Sequence, residues 1–344
     1  MKAQIKVAVI GCGFYAQNHL HAWKDLEKKS ASLVAVCDLN AEKAQACADR
    51  FKAAWYTDAR AMLSSENIDL VDIVTQMDSH QSLAALVADN GVGAILQKPL
   101  APNLEVATEI ANYAKSRKNW LAVHENFRFS TSMLRIKDKL EANVIGHPTW
   151  ARISFRTNYD VYAGQPYLKT VPRLVILDLG IHLLDLARFF LGEVDQVHCE
   201  TQQLRDGIKS EDTATILLKH KTGSVSVVDV SYEAKRIPDT FPETLLEIEG
   251  ANGSIKLSKG QILSINCGDE VEERFVGSDI LPWTSVPWHV SQEAVLNANE
   301  HFLECFKRGV DPETSAFDNL KTFSLVEAAY QAAETGRAIR PKYT

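Results

Sequence analysis

A glycine-rich turn near the start of the chain restricts the possible folds more than any other feature. Gly11 and Gly13 follow an apolar run over residues 5–10, and Ala16 opens an amphipathic helical pattern. Gly11 permits a tight turn, Gly13 lets the backbone approach a pyrophosphate, and Ala16 allows the helix to pack closely on the strand. A strand, a G-x-G-x-x-A turn and a helix in this order predict a nicotinamide dinucleotide bound at the helix N-terminus.

An acidic residue ends the second apolar run. Asp38 follows Val34-Ala35-Val36-Cys37, where a carboxylate can accept hydrogen bonds from the adenosine ribose hydroxyls. Its charge would repel a 2′-phosphate, and no arginine follows at once to bind one. We therefore expect NAD rather than NADP as the cofactor.

The first third of the chain alternates short apolar runs with amphipathic stretches. Runs this apolar, separated by helices, predict a parallel sheet covered on both faces, and right-handed crossovers make it a doubly wound Rossmann sheet. The predicted strands are 5–10, 33–37, 70–75, 94–96 and 121–124, and the predicted helices are 16–28, 41–52, 79–90 and 104–115.

Beyond about residue 126 strands follow one another without helices between them. Period-two alternation and the turn at Asn252-Gly253 predict an antiparallel or mixed sheet. We expect an α/β chain: a Rossmann domain over residues 1–126, and over 127–344 an α+β domain with a large open, mainly antiparallel sheet. The last helices can pack back on the first domain. The predicted elements here are helices 131–140, 178–191, 291–307 and 319–335 and strands 148–156, 213–219, 224–232, 244–249 and 254–257.

Composition and charge argue against several kinds of partner. The 344 residues are 46% hydrophobic and 24% charged, with a net charge of −7. Nucleic acids and anionic membranes need a basic face, so neither is expected. The six cysteines show no C-x-x-C spacing, which predicts free thiols in a reducing compartment. With neither a signal-type apolar core nor a membrane-length apolar run, we expect a cytoplasmic protein.

Three residues are candidates for the chemistry. Lys98 directly follows the fifth predicted strand, at the carboxyl end of the sheet where ligands bind, and its ammonium can stabilise an alkoxide. Asp178 and His182 are four residues apart at a predicted helix start and so share one face. His182 could act as a neutral base that Asp178 orients. The simpler interpretation is a surface lysine, a helix cap and a partly buried helical histidine.

The same segment offers little for a metal. Asp178 and His182 have no further ligands nearby in the sequence, so we expect no metal site. Asp185, three residues beyond His182, is expected to face solvent or the sheet.

Several motifs in the right order resemble the Gfo/Idh/MocA oxidoreductases, and the resemblance covers essentially the whole chain. The motifs are the Gly11 turn, Val71-Asp72-Ile73-Val74-Thr75 with His80, Gln97-Lys98-Pro99, Glu125-Asn126-Phe127-Arg128-Phe129, residues 178–185, and Pro312-Glu313-Thr314-Ser315. The resemblance implies oxidation of a hydroxyl of a sugar or sugar derivative with NAD(P). The substrate would be an aldose such as D-apiose, or a polyol or inositol.

The resemblance also implies roles for individual residues. His182 would take the hydroxyl proton as hydride leaves the same carbon for the nicotinamide C4, Lys98 would hold the substrate oxygen, and Asp178 would orient the others. The expected cofactor contacts are Gly11, Gly13, Phe14, Tyr15, Asp38, Thr75, Gln76, His80, Gln97, Lys98 and Asn126. The expected substrate contacts are Lys98, Arg128, Arg156, Asn158, Tyr167, Asp178, His182 and Trp288.

The chain departs from the family pattern near the nicotinamide. Gln97 stands where the family usually has glutamate, and Gln76-Met77 stands in place of Pro-Asn. An amide can only hydrogen-bond, so the cofactor contacts at these positions can differ from those of the family.

Three hypotheses follow from these residues. The first is an NAD-dependent sugar dehydrogenase, assembled as a homodimer or homotetramer through the C-terminal sheet. The second is a redox-neutral NAD-dependent glycosidase or epimerase. The third is a non-catalytic NAD(H)-binding regulator, against which a complete set of Lys98, Asp178 and His182 argues, because a sensor needs no proton acceptor.

Overall fold

Six parallel strands in the order β3-β2-β1-β4-β5-β6 form the first sheet in a computed structural model, which describes residues 4–343. The order reverses beside β1, as expected for a doubly wound sheet. All four residues of β4 are buried, as are all five of β5, so these central strands are covered on both faces. The strands are β1 Ile5–Ile10, β2 Ala31–Cys37, β3 Ala54–Tyr56, β4 Leu70–Ile73, β5 Gly93–Gln97 and β6 Leu121–His124.

Five helices connect these strands, and polar side chains cap three of them. The side chains of Asn40, Asp58 and Asn103 each accept a hydrogen bond from the backbone N–H three residues further on. Such caps satisfy backbone donors that have no partner inside the helix. The helices are α1 Ala16–Leu26, α2 Ala41–Phe51, α3 Ala59–Ser65, α4 His80–Asp89 and α5 Leu104–Ser116.

The second sheet has eight strands in the order β14-β13-β12-β11-β7-β10-β9-β8. Its pairs are antiparallel except β7 with β10, which is parallel, so the prediction of a large, mainly antiparallel sheet is confirmed. The predicted hairpin at Asn252-Gly253 joins β11 to β12. The strands are β7 Pro148–Arg156, β8 Val194–Gln202, β9 Thr213–His220, β10 Val225–Ser231, β11 Leu245–Gly250, β12 Gly253–Ser258, β13 Ile262–Cys267 and β14 Glu270–Phe275.

The remaining helices lie before, between and after the strands of this sheet along the chain. They are α6 Thr131–Glu141, α7 Val161–Gly164, α8 Ile181–Leu191, α9 His289–Arg308 and α10 Ala316–Thr335, with a π-helical turn at Ile176–Gly180 leading into α8. No helix within residues 4–343 combines the length and the apolar character that crossing a bilayer requires.

By internal contacts the chain divides into two units. The first contains residues up to 126 together with 295–320, and the second contains 127–294 and 321–343. The sequence-based division put everything after residue 126 in the second domain and allowed the last helices to return. In the first unit residues 314 and 315 pair with β6, where the Val123 N–H donates to the Thr314 carbonyl.

Sequence periodicity missed six of the helices and strands. β3 has only three residues, and every residue of β14 is exposed, so neither shows the apolar alternation that marks a half-buried strand. The missed elements are β3, α3, α7, β8, β13 and β14.

A buried ion pair corrects the sequence expectation for Asp185. Asp185 faces neither solvent nor the sheet: it is fully buried, and its two carboxylate oxygens accept from Arg128 Nε at 2.7 Å and Nη2 at 2.6 Å. The Thr322 hydroxyl donates to the same carboxylate at 2.9 Å. Because the guanidinium is held by this bidentate pair and packs on Phe189, Arg128 stabilises the second unit, and its expected contact with a substrate stays a prediction.

Replacing Asp185 with alanine should strongly destabilise the second unit. The substitution removes the carboxylate from a buried guanidinium, which costs about 3–5 kcal/mol. Urea unfolding followed by circular dichroism measures the loss. Glu27→Gln, which breaks a partly exposed pair with Lys24, is the control and should cost less than about 1 kcal/mol. Equal losses for the two variants would contradict the role of Asp185.

Candidate active site

The expected cofactor contacts of the first unit lie at one edge of the parallel sheet. Each follows or ends a strand, and the carboxyl ends of parallel strands meet at the same edge. Gly11, Gly13, Phe14 and Tyr15 follow β1, Asp38 follows β2, Thr75 and Gln76 follow β4, Gln97 and Lys98 lie at the end of β5, and Asn126 follows β6. The fold thus brings together residues that are up to 115 positions apart (126 − 11).

The two glycines of the turn have different structural roles. Gly11 has a φ of +105°, and a Cβ there would lie 2.3 Å from the carbonyl oxygen of Val74. A Cβ on Gly13 would meet nothing within 4 Å. Gly11 is therefore required by the turn itself, whereas Gly13 leaves open space in front of the N-terminus of α1. Backbone N–H groups and the helix dipole favour an anion at a position of this kind.

Asp38 orders the same turn. Its carboxylate accepts hydrogen bonds from the backbone N–H groups of Cys12 at 2.8 Å and Asn40 at 2.9 Å. A carboxylate has about four acceptor positions, so it can also bind hydroxyl groups. The half-buried Asp38 is well placed for a ribose beside the glycine turn.

Two of the residues expected to contact the cofactor support the segment that carries Lys98. His80 is fully buried, with Nδ1 3.1 Å from the Leu100 carbonyl oxygen and Nε2 3.2 Å from that of Thr75. Gln97 is buried, with its amide between the His19 ring and the Lys98 N–H. Both ends of each side chain contact protein groups, so His80 and Gln97 hold this segment in place, and the direct cofactor contacts expected of them stay predictions.

In the second unit Asp178 lies within the helix rather than at its cap. The π-helical turn Ile176–Gly180 precedes α8, and the Asp178 N–H already donates to the Leu174 carbonyl at 2.8 Å. The predicted cap is therefore wrong, because the helical turn starts before Asp178. π-Helical turns occur frequently at functional sites, where the extra residue redirects a side chain.

A tyrosine that sequence reasoning missed holds the Asp178 carboxylate. The Tyr232 hydroxyl donates to Asp178 Oδ2 at 2.6 Å. Burial, and then the neighbouring Asp178, raise the pKa of Tyr232 well above its ordinary value, so it stays a protonated donor. The two residues are 54 positions apart, so no local spacing in the sequence could have paired them.

The His182 ring is fixed by stacking. Its centroid lies 3.8 Å from that of Phe127, with the two rings 2° from parallel. His182 is 3% exposed and lies in the first turn of α8, after the π-helical turn. A flat aromatic neighbour fixes the plane of the imidazole and leaves its two nitrogens at the ring edge.

Aromatic rings also surround the expected substrate contact Trp288. Tyr159 stacks on Phe241 with ring centroids 4.1 Å apart, and the Trp288 ring meets Phe241 edge-on at 4.8 Å. Sugars bind such surfaces through their apolar C–H faces. Phe241 was missed because it lies in an irregular stretch far from the motifs.

The polar residues expected to contact the substrate differ in the protein groups that they already bind. Arg156 Nη1 donates to Asp229 at 2.6 Å, and the pKa of Asp229 is low because two arginines outweigh the effect of burial. The Asn158 N–H donates to Asp239, and the Tyr167 hydroxyl donates to Gln165. The side chains of Asn158 and Tyr167 are exposed, so each can contact a ligand. Among residues 4–343 no three side chains of metal-ligand type group together.

Comparison with known proteins places the chain in a family. The model of the oxidoreductase family with an NAD-binding Rossmann fold matches residues 5–125, and that of the GFO/IDH/MocA C-terminal domain matches residues 133–256. The D-apiose dehydrogenase of Paraburkholderia graminis is 43% identical over 340 residues, covering 98% of this chain and 90% of the relative. That of Rhizobium rhizogenes is 43% identical, covering 98% and 97%.

A solved structure is similar along the whole length. It is an oxidoreductase from Agrobacterium radiobacter in complex with NAD+, L-tartaric acid and magnesium. It superposes with a TM-score of 0.95 at 43% identity and covers 98% of both chains. Two family models that together match more than half of the chain, and relatives this similar, leave one conclusion. The chain belongs to the Gfo/Idh/MocA family of oxidoreductases.

Proposed function

We propose that this protein is an NAD-dependent dehydrogenase that oxidises a hydroxyl group of a sugar or sugar derivative, with D-apiose as the first candidate substrate. One observation carries the proposal: the glycine turn, Asp38 and Lys98 lie at the same edge of the parallel sheet, as a dinucleotide-dependent reaction requires. The 43% identity to two D-apiose dehydrogenases supports the choice of substrate.

The first unit would hold the cofactor through groups that fit it. Gly13 leaves room for the pyrophosphate, the N–H groups at the start of α1 would bind it, and Asp38 would accept the ribose hydroxyls. NAD+ supplies the acceptor for the hydride. We assign further contacts to Phe14, Tyr15, Thr75, Gln76 and Asn126 at the same edge.

Three side chains would perform the chemistry on the substrate. His182 accepts the hydroxyl proton on a ring whose plane Phe127 fixes. Asp178, held by Tyr232, orients the reacting groups. The Lys98 ammonium binds the substrate oxygen and stabilises the negative charge that develops on it.

The surface around Trp288 would bind the rest of the sugar. Tyr159, Phe241 and Trp288 offer aromatic faces, and Arg156, Asn158 and Tyr167 offer hydrogen-bonding groups. Arg156 pairs with Asp229 through Nη1, and the other N–H groups of its guanidinium can donate to a hydroxyl group of the substrate.

We extend the proposal to location and assembly. All six cysteines are free thiols, and every one except Cys267 is buried, which favours a reducing compartment such as the cytoplasm. Leu217 on β9 is 46% exposed and lies beside Val227 of β10 in the sheet. A homodimer or homotetramer formed through this sheet would cover them.

The experiment that tests the function is a substrate screen. Purified protein with NAD+ is offered pentoses including D-apiose, hexoses, sugar acids and inositols, and NADH is followed at 340 nm. We expect stable accumulation of NADH with at least one sugar. Turnover of a sugar without net NADH would indicate the redox-neutral alternative, and NAD binding without any turnover would indicate a regulator.

The Asp38 carboxylate should set the choice between NAD+ and NADP+. In Asp38→Asn the side chain can keep a hydrogen bond to the glycine turn but loses the charge that repels a 2′-phosphate. We expect the ratio of kcat/KM for NAD+ to that for NADP+ to fall roughly tenfold or more, the size of a lost charge-assisted hydrogen bond. An unchanged ratio, or a wild-type preference for NADP+, would refute the role of Asp38.

Removing the His182 ring should affect the chemical step and not cofactor binding. For His182→Ala we expect kcat to fall by roughly 10²–10⁴-fold, the usual contribution of a positioned proton acceptor. The Kd for NAD+, measured by calorimetry, should barely move. The control is His147→Ala, at an exposed histidine of the same unit. A His182→Ala enzyme with near wild-type kcat would show that another group takes the proton.

A further inference from the structure

We propose that Asp72, His19 and Gln97 form a buried hydrogen-bonded chain that positions the backbone of Lys98, and that Gln97 is a glutamine because it is matched to a neutral His19. The catalytic part of this inference rests on the proposed function, in which Lys98 binds the substrate oxygen. The chain itself is defined by contacts inside the first unit.

The chain has three links, each at hydrogen-bonding distance. Asp72 Oδ2 is 2.8 Å from His19 Nδ1, and His19 Nε2 is 3.0 Å from the Gln97 amide nitrogen. The Lys98 N–H donates to Gln97 Oε1 at 2.7 Å. Asp72 and His19 are fully buried and Gln97 is 7% exposed, so water competes little for these contacts.

The direction of every hydrogen bond in the chain follows from its last link. A backbone N–H can only donate, so the oxygen of Gln97 must face Lys98 and its NH₂ group must face His19. The NH₂ group also only donates, so His19 Nε2 must accept. The proton of a neutral His19 then lies on Nδ1 and is donated to Asp72. The contacts thus select one tautomer of His19.

The neighbours of the chain are consistent with a charged Asp72. Burial alone would raise the pKa of Asp72, but the hydrogen bonds from His19 Nδ1 and from the Trp23 N–H, 2.7 Å from Oδ2, lower it. The His124 ring lies 4.2 Å from His19, and burial lowers the pKa of His124 to about 3. Asp72 therefore anchors the chain as a carboxylate next to a neutral His124.

This arrangement accounts for the departure from the family pattern at Gln97. A glutamate there has no hydrogen to donate, so it could bond to His19 Nε2 only if His19 carried a second proton. The amide serves both neighbours at once: it donates to a neutral imidazole and accepts from the Lys98 N–H. Gln97 thus satisfies a neutral His19 and the Lys98 N–H at the same time, whereas a glutamate would keep only the bond to the Lys98 N–H.

A second buried histidine holds the same segment from its other side. The His80 ring lies between the carbonyl oxygens of Thr75 and Leu100. Thr75 lies just after β4, and Leu100 follows the Lys98-Pro99 dipeptide. Burial lowers the pKa of His80, and a neutral imidazole carries a single N–H, so the ring donates to one of these two carbonyls. With Gln97 before Lys98 and His80 behind Leu100, the backbone that carries the lysine is fixed at both ends. Fixing a reacting group in advance is a large part of catalysis, and a misplacement of about 1 Å can cost roughly 100-fold in rate.

The test compares three variants of the full chain. Gln97→Leu removes both hydrogen bonds of the amide, Gln97→Glu keeps the acceptor for the Lys98 N–H, and Trp23→Phe removes a different hydrogen bond to the same Asp72 oxygen. Hydrogen exchange at the Lys98 amide, resolved by NMR on labelled protein, reports the chain without any need for activity. The kcat, the KM for sugar and NAD+, and the melting temperature are measured beside it.

We expect slow exchange at the Lys98 amide in the wild type, Gln97→Glu and Trp23→Phe, and fast exchange in Gln97→Leu. In Gln97→Leu kcat should fall roughly 10–100-fold with little change in the KM for NAD+. Gln97→Glu should recover most of that loss, and Trp23→Phe should lower the melting temperature but leave kcat near wild type.

Other results would overturn the inference. Fast exchange at Lys98 in the wild type, or unchanged exchange in Gln97→Leu, would show that the chain does not hold the backbone. Normal kcat in a Gln97→Leu enzyme with fast exchange, or equal losses of kcat in Gln97→Leu and Trp23→Phe, would overturn the positioning role. If no sugar gives NADH with the wild type, the proposed function fails, and the exchange rates still decide whether Gln97 holds Lys98.

Discussion

The common direction of the six strands in the first sheet is the constraint on which the candidate site depends. Because all six run parallel, every strand delivers the residue after it to the same edge. The order reverses beside β1, so the turns after β1 and β4 diverge and leave the crevice in which a ligand of this architecture binds. Side chains at that edge can then specialise. Some of these side chains, such as that of Asp38, are partly exposed. Others, such as that of His80, are buried and hold the neighbouring loops.

Much of this edge was predictable because its determinants are local. The glycine turn, the acidic residue after the second strand and the lysine after the fifth are each read from a few adjacent residues, and the parallel topology supplies the rest. Strand bounds at β1, β6 and β7 were predicted to the residue. The buried Asp72 in the otherwise apolar β4 is a signal that could have been used, because an acidic residue is rarely buried without a specific partner.

What could not be predicted depends on contacts between distant parts of the chain. Asp185 was expected to face solvent or the sheet, because helical spacing alone does not reveal that Arg128 lies against it. The π-helical turn before α8 adds a residue that no 3.6-residue periodicity contains, so the sequence placed the helix start at Asp178 and allowed that residue to be a cap. The Tyr232 hydroxyl reaches Asp178 from the residue that follows β10, and only the fold brings the two together.

The distribution of thiols has a practical consequence for work on this enzyme. Burial raises the pKa of Cys12, Cys37, Cys199 and Cys305, which disfavours the thiolate that reacts with electrophiles, also at the cysteine inside the glycine turn. Cys267, at the end of β13, is the one exposed cysteine in the part of the chain that the structure describes. A maleimide dye or spin label would therefore attach at a single position, away from the glycine turn in the sequence, without any need to engineer the remaining cysteines.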